Sequence, residues 1–182
     1  MYLRTKNTMS SVPRIAQTLA LLAVLLATGA ECGPREKAAA VVSDFYTVYI
    51  PHRQGGLPEG AELQRLAPFL SERLHASIVA ALDYQEAWEK RHPEDKPPFV
   101  DGDFFSSLFE GPESFKVSRV TVSSKTAWKV QVHFRYETVE WDDTVLVIAE
   151  RGRYKIDEVL YSGAGEFNPP GRLSERLKSR EE

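Results

Sequence analysis

Asp101 and Asp103 stand on either side of Gly102, a spacing that can present two carboxylates to one hard cation such as calcium. A calcium loop also needs further oxygen ligands at set intervals and a bidentate glutamate at its end. Neither follows here, so the pair reads better as shaping a turn and capping the next segment through side-chain to backbone bonds. His133 lies within a strand pattern, with Gln131 and Arg135 on its own face. If that face lined a pocket, His133 with Asp157 or Asp44 would make an acid–base pair. The strict alternation around His133 predicts instead that this polar face meets water.

The aromatic residues Tyr46, Tyr49, Tyr84, Trp88, Trp128 and Tyr136 are sufficient to wall an apolar cavity carrying a few hydroxyls, suited to a small hydrophobic ligand. Their spacings are also those of ordinary core positions. Trp141, beside Asp142 and Asp143, reads as an exposed aromatic at a protein interface. The candidate binding residues are therefore Asp101, Asp103, Trp141, Tyr46 and Trp128. No Gly-x-Ser-x-Gly elbow, phosphate loop or dinucleotide fingerprint is present, which removes the usual signatures of nucleophilic and nucleotide chemistry. A single cysteine and scattered histidines exclude structural zinc. A formal charge of −3 without a basic run argues against nucleic-acid binding, which needs clustered cations. No required cofactor is expected.

These side chains depend on elements that the hydrophobic pattern specifies. Pro34 suits a first helical turn, and Ala38, Val41, Val42, Phe45, Val48 and Tyr49 recur at spacings of three and four up to Pro51, predicting a helix with one apolar stripe. Glycines and prolines between His52 and Gly60 predict a loop. A short helix is expected over Glu62 to Leu66. Ser71 is placed to cap a longer one, whose face carries Leu74, Ile78, Ala81, Leu82 and Trp88 before His92-Pro93 stops it. Residues 94–111 look like a loop but hold Phe99, Phe104, Phe105, Leu108 and Phe109. That segment should pack over the core as a lid or plug.

The apolar period then changes to two. Trp128, Val130, Val132, Phe134 and Tyr136 alternate with polar residues, marking a half-buried strand. A phase change near Arg119 predicts a bulge in the strand before it. Thr144 to Ala149 fits a central strand, and Arg153 to Tyr161 switches phase around Asp157 and Glu158. The short connections impose an antiparallel meander. The expected fold is α+β: a curved antiparallel sheet of about four strands packed against N-terminal helices. Residues 32–162 form the domain, and 163–182 read as a mostly disordered polar tail.

Arg4, Lys6 and Arg14 precede an uncharged stretch from Ile15 to Ala30, the layout of a secretory signal over residues 1–31. At ~1.5 Å per residue this stretch spans about 24 Å, short of the ~30 Å hydrocarbon core of a bilayer. Export to the periplasm is the expectation, either free or anchored to the membrane and facing the periplasm. Cys32 stands where the modified cysteine of a lipoprotein would stand. Gly29 and Glu31 replace the leucine and the small residue usual before such a cysteine, which leaves cleavage near Ala30 as the alternative.

Four stretches in order, Phe45-Tyr46, Phe69-Leu70-Ser71-Glu72-Arg73-Leu74, Asp101-Gly102-Asp103-Phe104-Phe105 and Tyr154-Lys155-Ile156-Asp157-Glu158-Val159, resemble the bacterial envelope family catalogued as domain of unknown function 3828. The resemblance spans residues 36–161 and implies a fold near the nuclear transport factor 2-like cone. It implies no agreed activity. Two functions are expected from the residues themselves. The first is a non-catalytic envelope module that holds a protein or a small apolar ligand; the second is a small pocket enzyme built on a His/Asp pair.

Overall fold

Helix α1, Pro34–Tyr49, buries Ala38, Val42, Phe45, Tyr46 and Tyr49. Those positions fall on one side of a 3.6-residue helix, so the stripe becomes a single packing face. The computed structural model describes Met1, residues 32–164 and residues 168–179. Apart from Met1, the signal segment expected over residues 1–31 lies outside the described residues. A compact unit begins at Cys32.

Pro51 sits in a tight turn, Ile50–His52, immediately after α1. Helix α2, Gly60–Leu66, leads through a second turn, Ala67–Phe69, into α3, Glu72–Arg91. Ser71 caps α3 as its type predicts: its Oγ accepts the Leu74 N–H at 3.0 Å, satisfying one of the orphan donors of the first turn. Among the described residues no helix is long and apolar enough to cross a membrane.

Five strands follow: β1 Ser114–Ser124, β2 Ala127–Tyr136, β3 Val139–Glu150, β4 Arg153–Tyr161 and β5 Gly171–Arg172. They pair antiparallel in sequence order as one open sheet. Ser118 is the extra residue of a bulge in β1, because Val117 pairs with Val132 and Arg119 already with Gln131. In β4 Asp157 is the extra residue, between the Ile156–Val147 and Glu158–Leu146 pairs. Both irregularities fall where the apolar phase changes. Each bulge moves the following side chains to the other face and so keeps apolar residues inward.

Helix α1 lies across the sheet and contacts β1 through β4. Trp128, Val130, Val132 and Phe134 of β2, Val145 and Val147 of β3, and Ile156 and Val159 of β4 are all buried beneath it. The centre is aromatic. Tyr46 meets Phe134 edge-on at 5.0 Å, and Phe105 meets Phe45 at 4.9 Å and Tyr49 at 5.0 Å, arrangements favoured by the ring quadrupoles. The architecture is thus α+β, with an open antiparallel sheet and N-terminal helices.

The tail differs from expectation. Over 168–179 it forms β5 on the edge of β4 and a short helix α4, Leu173–Arg176, with Leu173 and Leu177 fully buried. Two leucines four residues apart are too few to register as a periodic stripe, yet they cover one end of the core. Glu158, also buried, accepts the Ser174 N–H at 3.0 Å and so caps α4 from the neighbouring strand. Leu173→Ala is therefore expected to cost about 2–5 kcal/mol of unfolding free energy in chemical denaturation. A loss below about 0.5 kcal/mol would place this segment outside the cooperative core.

Candidate functional site

Residues 101–111 cross the end of the core as an irregular strap between α3 and β1. Its backbone closes on itself where the Asp103 N–H donates to the Phe109 carbonyl at 2.9 Å and the Gly111 N–H to the Leu108 carbonyl at 3.0 Å. Gly111 has φ +72°, and a Cβ there would lie 2.4 Å from Asp103 Oδ2. Only glycine satisfies both the left-handed backbone and the close approach.

Asp103 is only 3% exposed. Its Oδ1 accepts the Phe105 N–H at 2.8 Å and its Oδ2 the Tyr49 hydroxyl at 2.8 Å, while Arg53 Nε stands 3.9 Å away. Burial raises its pKa above the usual carboxylate range, and the bonds from Tyr49 and Phe105, the Arg53 charge and Ser106 oppose that rise. Asp143, on β3, is the second buried carboxylate at the strap. It accepts the Ser107 N–H at 2.7 Å, the Ser162 N–H at 2.9 Å, the Trp141 indole N–H at 3.1 Å and the Ser107 hydroxyl.

Hydroxyls and a guanidinium complete the anchorage. Tyr46 donates to the Phe105 carbonyl and Tyr161 to the Phe104 carbonyl, each at 2.7 Å. Burial pushes the phenols of Tyr46, Tyr49 and Tyr161 above the ordinary tyrosine range, so they remain protonated donors. Arg176 of α4 donates to the Asp103 and Asp101 carbonyls and lies 3.8 Å above the Phe104 ring, a cation–π contact that also ties the tail to the strap.

The structure separates the other expected site residues. Asp101 is exposed and pairs with Lys96, so its carboxylate does not join that of Asp103. Asp44 is exposed on the outer side of α1. His133 is 40% exposed on the outward face of β2, 3.2 Å from Asp142 and 3.6 Å from Glu140. It does not meet Asp157. His133 pairs opposite Asp142, whereas Asp157 lies beside Leu146 and Val147, about 13 Å further along β3 at ~3.3 Å per residue. Asp157 instead accepts the Ser71 hydroxyl at 2.6 Å and Arg73 Nε at 3.0 Å, bracing the cap of α3. Tyr46 and Trp128 are core residues, Trp128 packing on Tyr154 at 4.9 Å.

Trp141 corrects the expectation of an exposed aromatic. It is 6% exposed, its ring lies 5.5 Å from Phe134, and its indole N–H is bonded to Asp143. The inward phase of β3 runs Trp141, Asp143, Val145, Val147, and that period was the available signal. Cys32 is exposed with a free thiol.

Tyr49, Asp143, Tyr161 and Arg176 are the strap-holding residues that no motif announced. On the outer side of the strap, Leu108, Phe109 and Glu110 with Tyr136, Glu137, Val139 and Asn168 line a surface groove of about 480 Å³. Phe109 is 53% and Val139 42% exposed there. Among the described residues no group of three or more histidine, cysteine or acidic side chains is placed to hold a metal ion. Comparison of the chain with protein-family models, curated proteins and solved structures found no match.

The raised pKa of Asp103 fixes the sign of a pH effect. Its ionisation costs stability above the folded pKa, and that cost is relieved as pH falls through the folded value toward the unfolded one. Asp103→Asn carries no such cost. The stability deficit of the variant relative to wild type is expected to be largest near about pH 4 and to shrink toward about pH 8, read by urea unfolding at each pH. A deficit that grows with pH would mean that the charged form of Asp103 is favoured by folding.

Proposed function

We propose that the chain is an exported, non-catalytic binding module of the cell envelope, which holds a protein or a small apolar ligand at its 94–111 segment. The observation that carries this reading is the division of labour in that segment. Its inner groups, Asp103, Phe104, Phe105 and Ser107, are fully engaged in anchorage, while Phe109 is left 53% exposed beside a groove. Large exposed aromatics beside concave apolar surface are a common mark of recognition sites.

Export rests on the charged, apolar and small-residue order of positions 1–31, with Cys32 as the attachment point if the chain is lipidated. The proposed family is the envelope family of domain of unknown function 3828, and the proposed fold is its nuclear transport factor 2-like cone. The order of the four sequence stretches and the helices-then-meander layout support both. The enzyme reading needs His133 beside Asp157 or Asp44 in a pocket, and the geometry offers it no support.

The test is a titration with N-phenyl-1-naphthylamine, a neutral apolar dye that fluoresces when it leaves water. One saturable site is expected. Phe109→Ser should weaken it about tenfold, the size of a typical hot-spot loss. His133→Ala, a distant site, should change it by less than about twofold. Binding that vanishes in His133→Ala and survives in Phe109→Ser would overturn the reading in favour of a site around His133.

A further inference from the structure

The groove beside Phe109 has a charge signature as well as an apolar floor. Its apolar side chains come from the strap (Leu108, Phe109), the end of β2 (Tyr136) and the start of β3 (Val139). Phe109 and Val139 are two of the few large hydrophobic residues exposed among the described residues. Among the described residues, the charged groups lining the groove are Glu110 and Glu137, both exposed. Glu113 is also exposed nearby, its carboxylate accepting the Glu137 N–H at 3.2 Å. Arg172 and Arg176 line the adjoining cavity on the other side of Phe109 and Asn168, Arg172 paired with Glu175 and Arg176 engaged by the Asp103 carbonyl and the Phe104 ring. Two further cations approach this end of the sheet. Arg53 is mostly buried and directed at Asp103 and the Glu110 carbonyl, and Arg135 lies opposite Glu140 on the outward face of β2. Neither lines the groove.

From this arrangement we infer that the groove is a docking surface for a cationic partner segment: a peptide that inserts an apolar side chain against Phe109 and Val139 and sets Lys or Arg against Glu110 and Glu137. The inference rests on the binding reading above and adds the chemistry of the occupant. An apolar anchor supplies the desolvated centre of such a contact, and a polar rim of opposite charge supplies orientation and rate of encounter. The same glutamates disfavour an acidic segment and an anionic lipid surface, because like charges brought together across an interface are repelled.

The backbone under the groove is set before any partner arrives. The Phe109 N–H donates to Asn168 Oδ1 at 3.1 Å, and the Phe109 ring covers Gly102, where an added Cβ would lie 2.7 Å from it. The β2–β3 hairpin that supplies Val139 turns through Glu137 at φ +48°. The occupant meets a formed surface rather than ordering a loose one, which lowers the entropic cost of docking.

The test compares two helical peptides of about 14 residues, roughly four turns, one built from leucine and lysine and the other from leucine and glutamate, by fluorescence anisotropy on the same protein used for the dye titration. The lysine peptide is expected to bind at least about tenfold more tightly than the glutamate peptide and to displace the dye. Phe109→Ala, which keeps every charge, should weaken the lysine peptide about tenfold. Glu110→Gln with Glu137→Gln should erase most of its preference and flatten its salt dependence.

Equal binding of the two peptides, or lysine-peptide binding unchanged by Phe109→Ala, would overturn the cationic-partner inference. If the dye still binds in that case, the apolar binding reading stands alone. If neither dye nor peptide binds, both fall.

Discussion

Two carboxylates without access to water hold the irregular strap of this fold in place. An isolated buried carboxylate is unfavourable by several kcal/mol even after the protein relaxes around it, so each must find donors. Asp143 finds them in the strap, in the residue after β4 and in Trp141. Asp103 finds them in α1 and in its own loop. The two demands together bring four parts of the chain to one place. Segment 101–111 has no ladder of its own, and its backbone is held instead by bonds to side chains and to itself.

The aromatic centre depends on that anchorage. Phe105 reaches Phe45 and Tyr49 only while Asp103 accepts its N–H and Tyr46 donates to its carbonyl. Phe104 is held the same way by Tyr161 and by the Arg176 guanidinium. Apolar burial provides the larger free energy, and the hydrogen bonds decide which ring occupies which position. Substituting a phenol or a carboxylate here would leave a buried partner unpaired, which is more damaging than the loss of one average hydrogen bond.

The periodic parts of the chain were legible. The β2 alternation named its buried face correctly, Ser71 capped α3 as its type requires, and both phase changes proved to be bulges. What periodicity cannot express is a polar residue in an apolar phase. Asp143 occupies the inward register of β3, and its place beside Trp141 and Asp142 makes Trp141 read as an exposed aromatic. Asp-Gly-Asp was recognised as a turn, while the burial of Asp103 depended on Tyr49, a helix residue 54 positions earlier. The tail escaped for a related reason. Leu173 and Leu177 matter through what they cover, and Ser174 is satisfied by Glu158 from another strand, a tertiary partner that local sequence does not reveal.

The placement of polar groups also bears on what the protein can do. Catalytic acid–base pairs need titratable groups that share a pocket and retain freedom to exchange protons with a substrate. Here Asp103 is bonded by a phenol and a backbone donor and Asp143 by backbone, indole and serine donors, and the histidine of β2 sits in partial contact with water beside Asp142 and Glu140. The expected acid–base candidates are thus either bonded within the fold, as Asp157 is to Ser71 and Arg73, or separated on exposed surfaces, as His133 and Asp44 are. The anchored strap presents a phenylalanine at its outer end, next to a hairpin valine and two glutamates. The same buried carboxylates that bond the inner side of the strap thereby set where its outer residues, Phe109 and Glu110, stand.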